Sequence, residues 1–120
     1  MSAMSNAQLW LEALDALHAA PEHHTLLFEN ESVRVLGTHV SPGEMVPLHT
    51  HQFPAVLYIL SWSDFVRRDV EGNILLDSRM TMKPAEGSTV WSGPLAPHTL
   101  ENVGGAELRV ISIELKVVSC

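Results

Sequence analysis

The chain has 120 residues, 46% of them hydrophobic, which suits one domain with a single core and leaves no room for a second. Seven basic residues against fourteen acidic ones give a formal charge of −7, which argues against a nucleic-acid partner, and no run of like charge forms a tail or a membrane-surface patch. The one cysteine, Cys120, is the last residue, so it forms no intrachain disulfide and nothing points to an oxidising compartment.

Residues 5–20 predict one amphipathic helix, with Leu9, Trp10, Ala13, Leu14 and Leu17 at helical spacing. Ser5 with Gln8 is a capping-box pattern, and Pro21 closes the segment. Glu12 and Asp15 interrupt what would be the apolar stretch of a leader, and no basic segment precedes it. We therefore expect no signal peptide and a cytoplasmic location; no window approaches a membrane span.

The helical extension covers residues 1–23, and a β-domain covers 24–120. Strands are expected at 25–29, 32–40, 46–52, 55–61, 64–69, 74–82, 88–91, 98–102 and 107–118. Ser41-Pro42-Gly43, Glu71-Gly72-Asn73, the Pro84 to Gly87 stretch and Gly104-Gly105 supply turns between them. Many short strands at this spacing predict an all-β sandwich or jelly roll. In the last strand the apolar parity switches: Leu108 and Val110 share one face, and Ile111, Ile113, Leu115 and Val117 share the other. Such a switch calls for a bulge or for burial on both faces, and either suits a central strand or one covered by a partner subunit.

The chemistry rests on seven histidines. His18, His23 and His24 fall in or just after the predicted helix, where a solvated imidazole suits the helix dipole. His39 reads as a hydrogen-bonded, partly buried strand residue. His49 and His51 differ, because residues i and i+2 of a strand point to one face, with Cα atoms about 6.5–7 Å apart. Two imidazoles so placed can converge on one ion at about 2.0–2.1 Å. Gly43 precedes His49 by six positions, and downstream His98 and Asn102 share strand parity in "HTLEN", with Gly87 before them.

These two stretches resemble the paired signature motifs of the cupin superfamily, G-x5-H-x-H-x3,4-E-x6-G and G-x5-P-x-G-x2-H-x3-N. The first survives as Gly43, His49 and His51, followed by the apolar "VLYIL" of Val56 to Leu60. Ala55 stands where the family has glutamate, and Trp62 where it has its second glycine. The second motif survives as Gly87, His98 and Asn102, with Gly93 and Leu95 at the intervening proline and glycine positions and Pro94 and Pro97 close by. The resemblance spans about residues 32 to 118 in pattern and implies an all-β, cupin-type double-stranded β-helix, or jelly roll, with the site inside one end of a β-barrel.

The resemblance further implies metal ligation by His49, His51 and His98. Glu101 has the wrong parity to replace the missing carboxylate, Glu44 belongs to the turn, and Gln52, through its amide oxygen, is the best remaining substitute. Imidazole ligation suits Fe, Zn, Ni and Cu; iron is favoured, with Mn a further alternative. An ion without a carboxylate ligand keeps its full charge and favours a small acidic or chelating substrate. Three-histidine cupins include dioxygenases of thiol, diketone and gentisate-type substrates, so an Fe(II)-dependent dioxygenase is the leading enzymatic expectation. The alternatives are a non-redox isomerase or lyase, and a non-catalytic binder of a small acid or sugar.

Phe53, Ala55, Tyr58 and Trp91 are candidate pocket residues, with Arg79 and Arg109 as candidate anchors for a substrate carboxylate. Arg34 is a weaker candidate, and Arg67-Arg68 reads as a solvated pair beside a hairpin turn. No nucleophile elbow surrounds Ser61, Ser63 or Ser92, and no phosphate-binding glycine loop occurs. The resemblance implies a homodimer, which small size and the apolar final strand support.

Overall fold

The computed structural model describes residues 10–116. The strands are β1 (His24–Glu29), β2 (Val33–Val40), β3 (Met45–His51), β4 (Ala55–Ser61), β5 (Phe65–Arg68), β6 (Ile74–Asp77), β7 (Thr89–Ser92), β8 (Leu95–Asn102) and β9 (Leu108–Leu115). Each falls within a residue or two of its expected place except at three ends. The sixth stops at Asp77, where a 3-10 turn, Ser78–Met80, begins. There the Asp77 carboxylate accepts from the Arg79 backbone N–H, a local bond that competes with the ladder. The eighth starts three residues early, and the ninth ends at Leu115.

All pairings are antiparallel, in two sheets ordered β1-β2-β9-β4-β7 and β3-β8-β5-β6. The inward faces meet in an apolar cluster of Ala20, Val40, Val46, Phe65 and Leu108. The expected closed barrel does not form among the described residues: the sheets face each other as a jelly-roll sandwich without a hydrogen-bonded ring. No helix among the described residues is long and apolar enough to cross a membrane.

Asn102, the last residue of the second motif, is a joint in this frame. Its buried amide donates to the Val40 and Ala106 carbonyls at 2.9 Å each and accepts from Ser63 Oγ at 2.7 Å. Its backbone holds the Gly43 turn, where φ is 82°, through Gly43 N–H to the Asn102 carbonyl at 3.1 Å.

The single helix expected over residues 5–20 is not what the chain forms. Residues 5–9, with the capping-box pair, lie outside the described residues, as does Cys120. From Glu12 the chain makes a 3-10 turn (Glu12–Leu14), breaks at Asp15, and resumes as a four-residue helix, α1 (Ala16–Ala19). Asp15 is extended, with φ −54° and ψ 142°, because tertiary bonds hold it there. It caps α1 through Leu17 N–H, bridges to Thr50, and accepts two hydrogen bonds from Arg34 at 2.8 and 3.0 Å. A buried bidentate ion pair outweighs the modest helix propensity of one aspartate.

The parity switch in the last strand also has a structural origin. β9 runs in unbroken register along β2 at the centre of the five-stranded sheet. Leu108, Val110, Ser112 and Glu114 all point inward, so the inward face changes from apolar to polar as it reaches the site. Ile111, Ile113 and Leu115 lie on the outer face, half-buried.

Candidate metal centre

A cavity of about 510 Å³ opens between the sheets, within the range of small-molecule sites. His24, His49, His51 and His98 line it. His49 and His98 are Cα partners across β3 and β8, and the ladder slips by one residue on either side of His49. Prolines at 47 and 97 explain the slips, since neither can donate to the ladder. In each strand the carbonyl two residues before the histidine instead accepts from its ring: Pro47 from His49 Nδ1 and Ala96 from His98 Nδ1, both at 2.7 Å.

The ring centroids of His49 and His98 are 4.3 Å apart, those of His49 and His51 4.9 Å, and those of His51 and His98 5.8 Å. His24, expected to be a solvated imidazole beside a helix end, is buried here instead. Its ring lies 4.9 Å from His49 and 5.2 Å from His51, and the donor atoms of these three residues fit within 4.8 Å of one another. The reason is that the first strand begins at His24 itself, which pairs with Thr38 on the inward face. His24 Nδ1 is tied to the Ala20 carbonyl at 3.0 Å. His23 and His39 stay outside: His23 Nδ1 bonds the His39 carbonyl, and His39 pairs with Glu107 at an exposed position.

In all four clustered rings Nδ1 is spent on an oxygen acceptor, the fourth being His51 on Glu114 Oε2 at 3.2 Å. An oxygen that can only accept requires Nδ1–H, which leaves the Nε2 lone pair free. Three of these rings, His24, His49 and His98, are also kept neutral. Burial, then the charges of His98 and His51, pushes His49 down to about 2. Burial likewise pushes His98 down to about 3 against the Ala96 bond, and burial with His51 beside it takes His24 to about 4. Neutral imidazoles with oriented lone pairs are what a divalent ion requires. The donor atoms of His24, His49 and His51 therefore fit a metal, and the expected ligand His98 stands outside that closest group with its ring 4.3 Å from that of His49.

Glu114 is a residue that sequence reasoning missed. It is Cα partner to Ala55, 1% exposed, and shares its carboxylate between His51 and Arg34 Nε, the latter at 2.7 Å. Arg34 passes on to Asp15, giving a buried chain His51–Glu114–Arg34–Asp15. Burial works to raise the Asp15 carboxyl, but the Arg34 bonds and charge win and hold it low; the same two carboxylates raise Arg34 despite its burial. The signal was Ser112 and Glu114 at the inward parity of an otherwise apolar strand. The lost motif carboxylate is thus matched by one on the facing strand, where it orients a histidine instead of joining the ring of donors.

Phe53, Ala55 and Trp91 line the cavity, Phe53 with Arg34 over its ring at 5.5 Å. Four expected site residues do not. Gln52 lies just beyond the end of β3, off the cavity wall; Tyr58 has outward parity. Arg79 is turned out into an ion pair with Asp77 at 2.9 Å, and Arg109 is on the exposed face of β9. Glu101 also faces out, paired with Arg68. Conversely, Arg67, read as solvated, lines the cavity.

Among solved structures, a cupin domain from Bordetella pertussis Tohama I superposes with a TM-score of 0.63 at 21% identity, over 78% of this chain and 92% of that one. The chain has the cupin fold. The same fold relates it to an RmlC-like cupin from Methanocaldococcus jannaschii, with a TM-score of 0.54, 15% identity and 77% of each chain covered. A double-stranded β-helix protein from Klebsiella pneumoniae matches with a TM-score of 0.53 at 14% identity, over 96% and 90% of the two chains. No family model and no curated protein matches the chain. Within the cupin fold, the cluster occupies the space between the sheets where the two motif histidine strands, β3 and β8, run side by side.

Proposed function

We propose that this cupin-fold protein binds a divalent metal ion, iron by preference, at the His24, His49, His51 and His98 cluster, and uses it to oxidise a small chelating acid with dioxygen. The observation that carries the reading is the shared state of the four rings: each has Nδ1 tethered to an oxygen and Nε2 free. The ion, when bound, would supply redox activation of substrate and oxygen.

The chain's own residues account for the rest. Pro47, Ala96 and Ala20 carbonyls fix three ring orientations, and Glu114 fixes the fourth. Glu114 and Asp15 share the single positive charge of Arg34, so the carboxylates keep one net negative charge beside His51. Leu57, Ile59, Val90 and Leu100 make part of the wall apolar and would favour an apolar body on the substrate.

The same reading includes a homodimer through the outer face of the five-stranded sheet, where Ile111 and Ile113 are only half-covered and Leu27 and Phe28 are exposed. Light scattering should show two copies per particle.

Elemental analysis of untagged protein purified without chelator, followed by oxygen consumption over thiols, diketones and aromatic acids, tests the proposal. Iron near one equivalent with substrate-dependent oxygen uptake is the expected result. Iron without uptake on any substrate class makes the protein a binding module, and no metal at all removes the proposal.

A further inference from the structure

Arg67 sits in β5 between Leu100 of β8 and Leu76 of β6, its Cα partners, and all three line the cavity. His98 is two residues before Leu100 on β8. Strand spacing of about 4.8 Å and a rise of about 3.3 Å per residue put the Arg67 and His98 Cα atoms about 8 Å apart.

Three other arginines have a carboxylate: Arg34 has Asp15 and Glu114, Arg68 has Glu101, and Arg79 has Asp77. Arg67 makes no ion pair or hydrogen bond among the described residues, and its Nε is buried without a partner. Its one compensating contact is the Phe65 ring, 5.6 Å from the guanidinium carbon. That contact only partly offsets the cost of drawing the charge out of water. Lys83 also lines the cavity, but its Nζ is engaged by Asp64 at 3.0 Å. The other partnerless buried donor, Trp62 Nε1, is beside that same carboxylate, which Lys83 and Ser78 already hold.

A cavity wall that keeps an unpaired guanidinium a short way from a ring of imidazoles, with apolar surface between, has one natural occupant. We infer that Arg67 is the carboxylate anchor of the cavity and that the ligand is an amphipathic monocarboxylic acid. Its carboxylate takes the guanidinium fork, and its apolar body lies against Leu57, Leu76 and Leu100. Its far end points to the histidines, a placement that rests on the metal reading above. Exposed Arg79 and Arg109 have no part in it.

The test is calorimetry with benzoate, hexanoate and the neutral isostere benzamide. It uses wild type, Arg67→Met, Arg67→Lys and Arg109→Gln, each in metal-loaded and chelator-treated form. Benzoate or hexanoate should bind wild type in both forms. Arg67→Met should weaken that binding about 10-fold or more while leaving benzamide and metal content unchanged. Arg67→Lys should fall between, and Arg109→Gln should match wild type. Because the charge is unpaired in the empty cavity, Arg67→Met should also raise the melting temperature of ligand-free protein, which a merely structural arginine would not do. Equal carboxylate affinity in Arg67→Met, no carboxylate binding to wild type, or a lower melting temperature in Arg67→Met overturns the inference. Absence of metal in wild type would overturn the metal reading alone, since the chelator-treated arm reads Arg67 independently.

Discussion

Ala55 and Glu114 are Cα partners across β4 and β9, and the carboxylate that the cupin motif places at the first position is supplied here from the second. The alanine leaves room; the glutamate reaches past it to His51 Nδ1 at 3.2 Å. Carboxylates that orient a ligating imidazole in this way tune metal affinity by about 10–100-fold. Glu114→Gln keeps the shape and an acceptor oxygen but loses the charge. It should weaken metal binding within that range while the protein stays folded, as measured by metal titration alongside a melting curve. Unchanged affinity would mean that Glu114 serves only Arg34.

Arg34 carries the opposite expectation, stability over binding. It is the one cation shared by two buried carboxylates, Asp15 and Glu114. Arg34→Met leaves both without it, and removing one partner from a buried ion pair costs about 3–5 kcal/mol. Urea unfolding should show that loss. A cost below about 1 kcal/mol would show that the network is hydrated and not buried.

Acid should destabilise the metal-free protein in a defined window. His24, His49 and His98, which titrate near 6.5 when unperturbed, are held down to about 4, 2 and 3. Below pH 6.5 the unfolded chain takes up protons that the folded chain refuses, so the unfolded state binds more protons and stability falls with pH. Stability is full above 6.5 and is lost progressively as pH falls toward 4 and beyond. Urea midpoints of chelator-treated protein at pH 7.5, 6.0 and 5.0 should fall in that order, and less steeply in His24→Asn. A flat profile would place the rings in solvent.

The frame was legible in the sequence because it rests on local, repeated signals. Alternating apolar residues marked the strands, and Gly43, Gly72 and Gly87, all with positive φ, marked turns. That His49, His51 and His98 would meet was an expectation from the resemblance to the cupin motifs, and the direct pairing of His49 with His98 is known from the structure. What escaped depended on tertiary partners. Asp15 looks like a helix residue until Arg34 is beside it, 19 residues away in the chain. His24 reads as a histidine just past a helix end until the first strand takes it up and turns it inward. Arg67 and Arg68 look alike as neighbours, and only the pleat separates a cavity wall from a partly buried pair with Glu101. Parity along β9 held the clue to Glu114, since a polar pair at inward positions marks the place where an apolar core gives way to a site.

Everything rests on the two imidazoles of β3 converging on one ion with at least one from β1 or β8. Anomalous scattering from crystals of metal-replete protein, collected on both sides of the iron edge, tests it most directly. It should show a single peak about 2.0–2.2 Å from Nε2 of His49 and His51 and of at least one of His24 and His98. No peak among those rings, or a peak held by other residues, would contradict it.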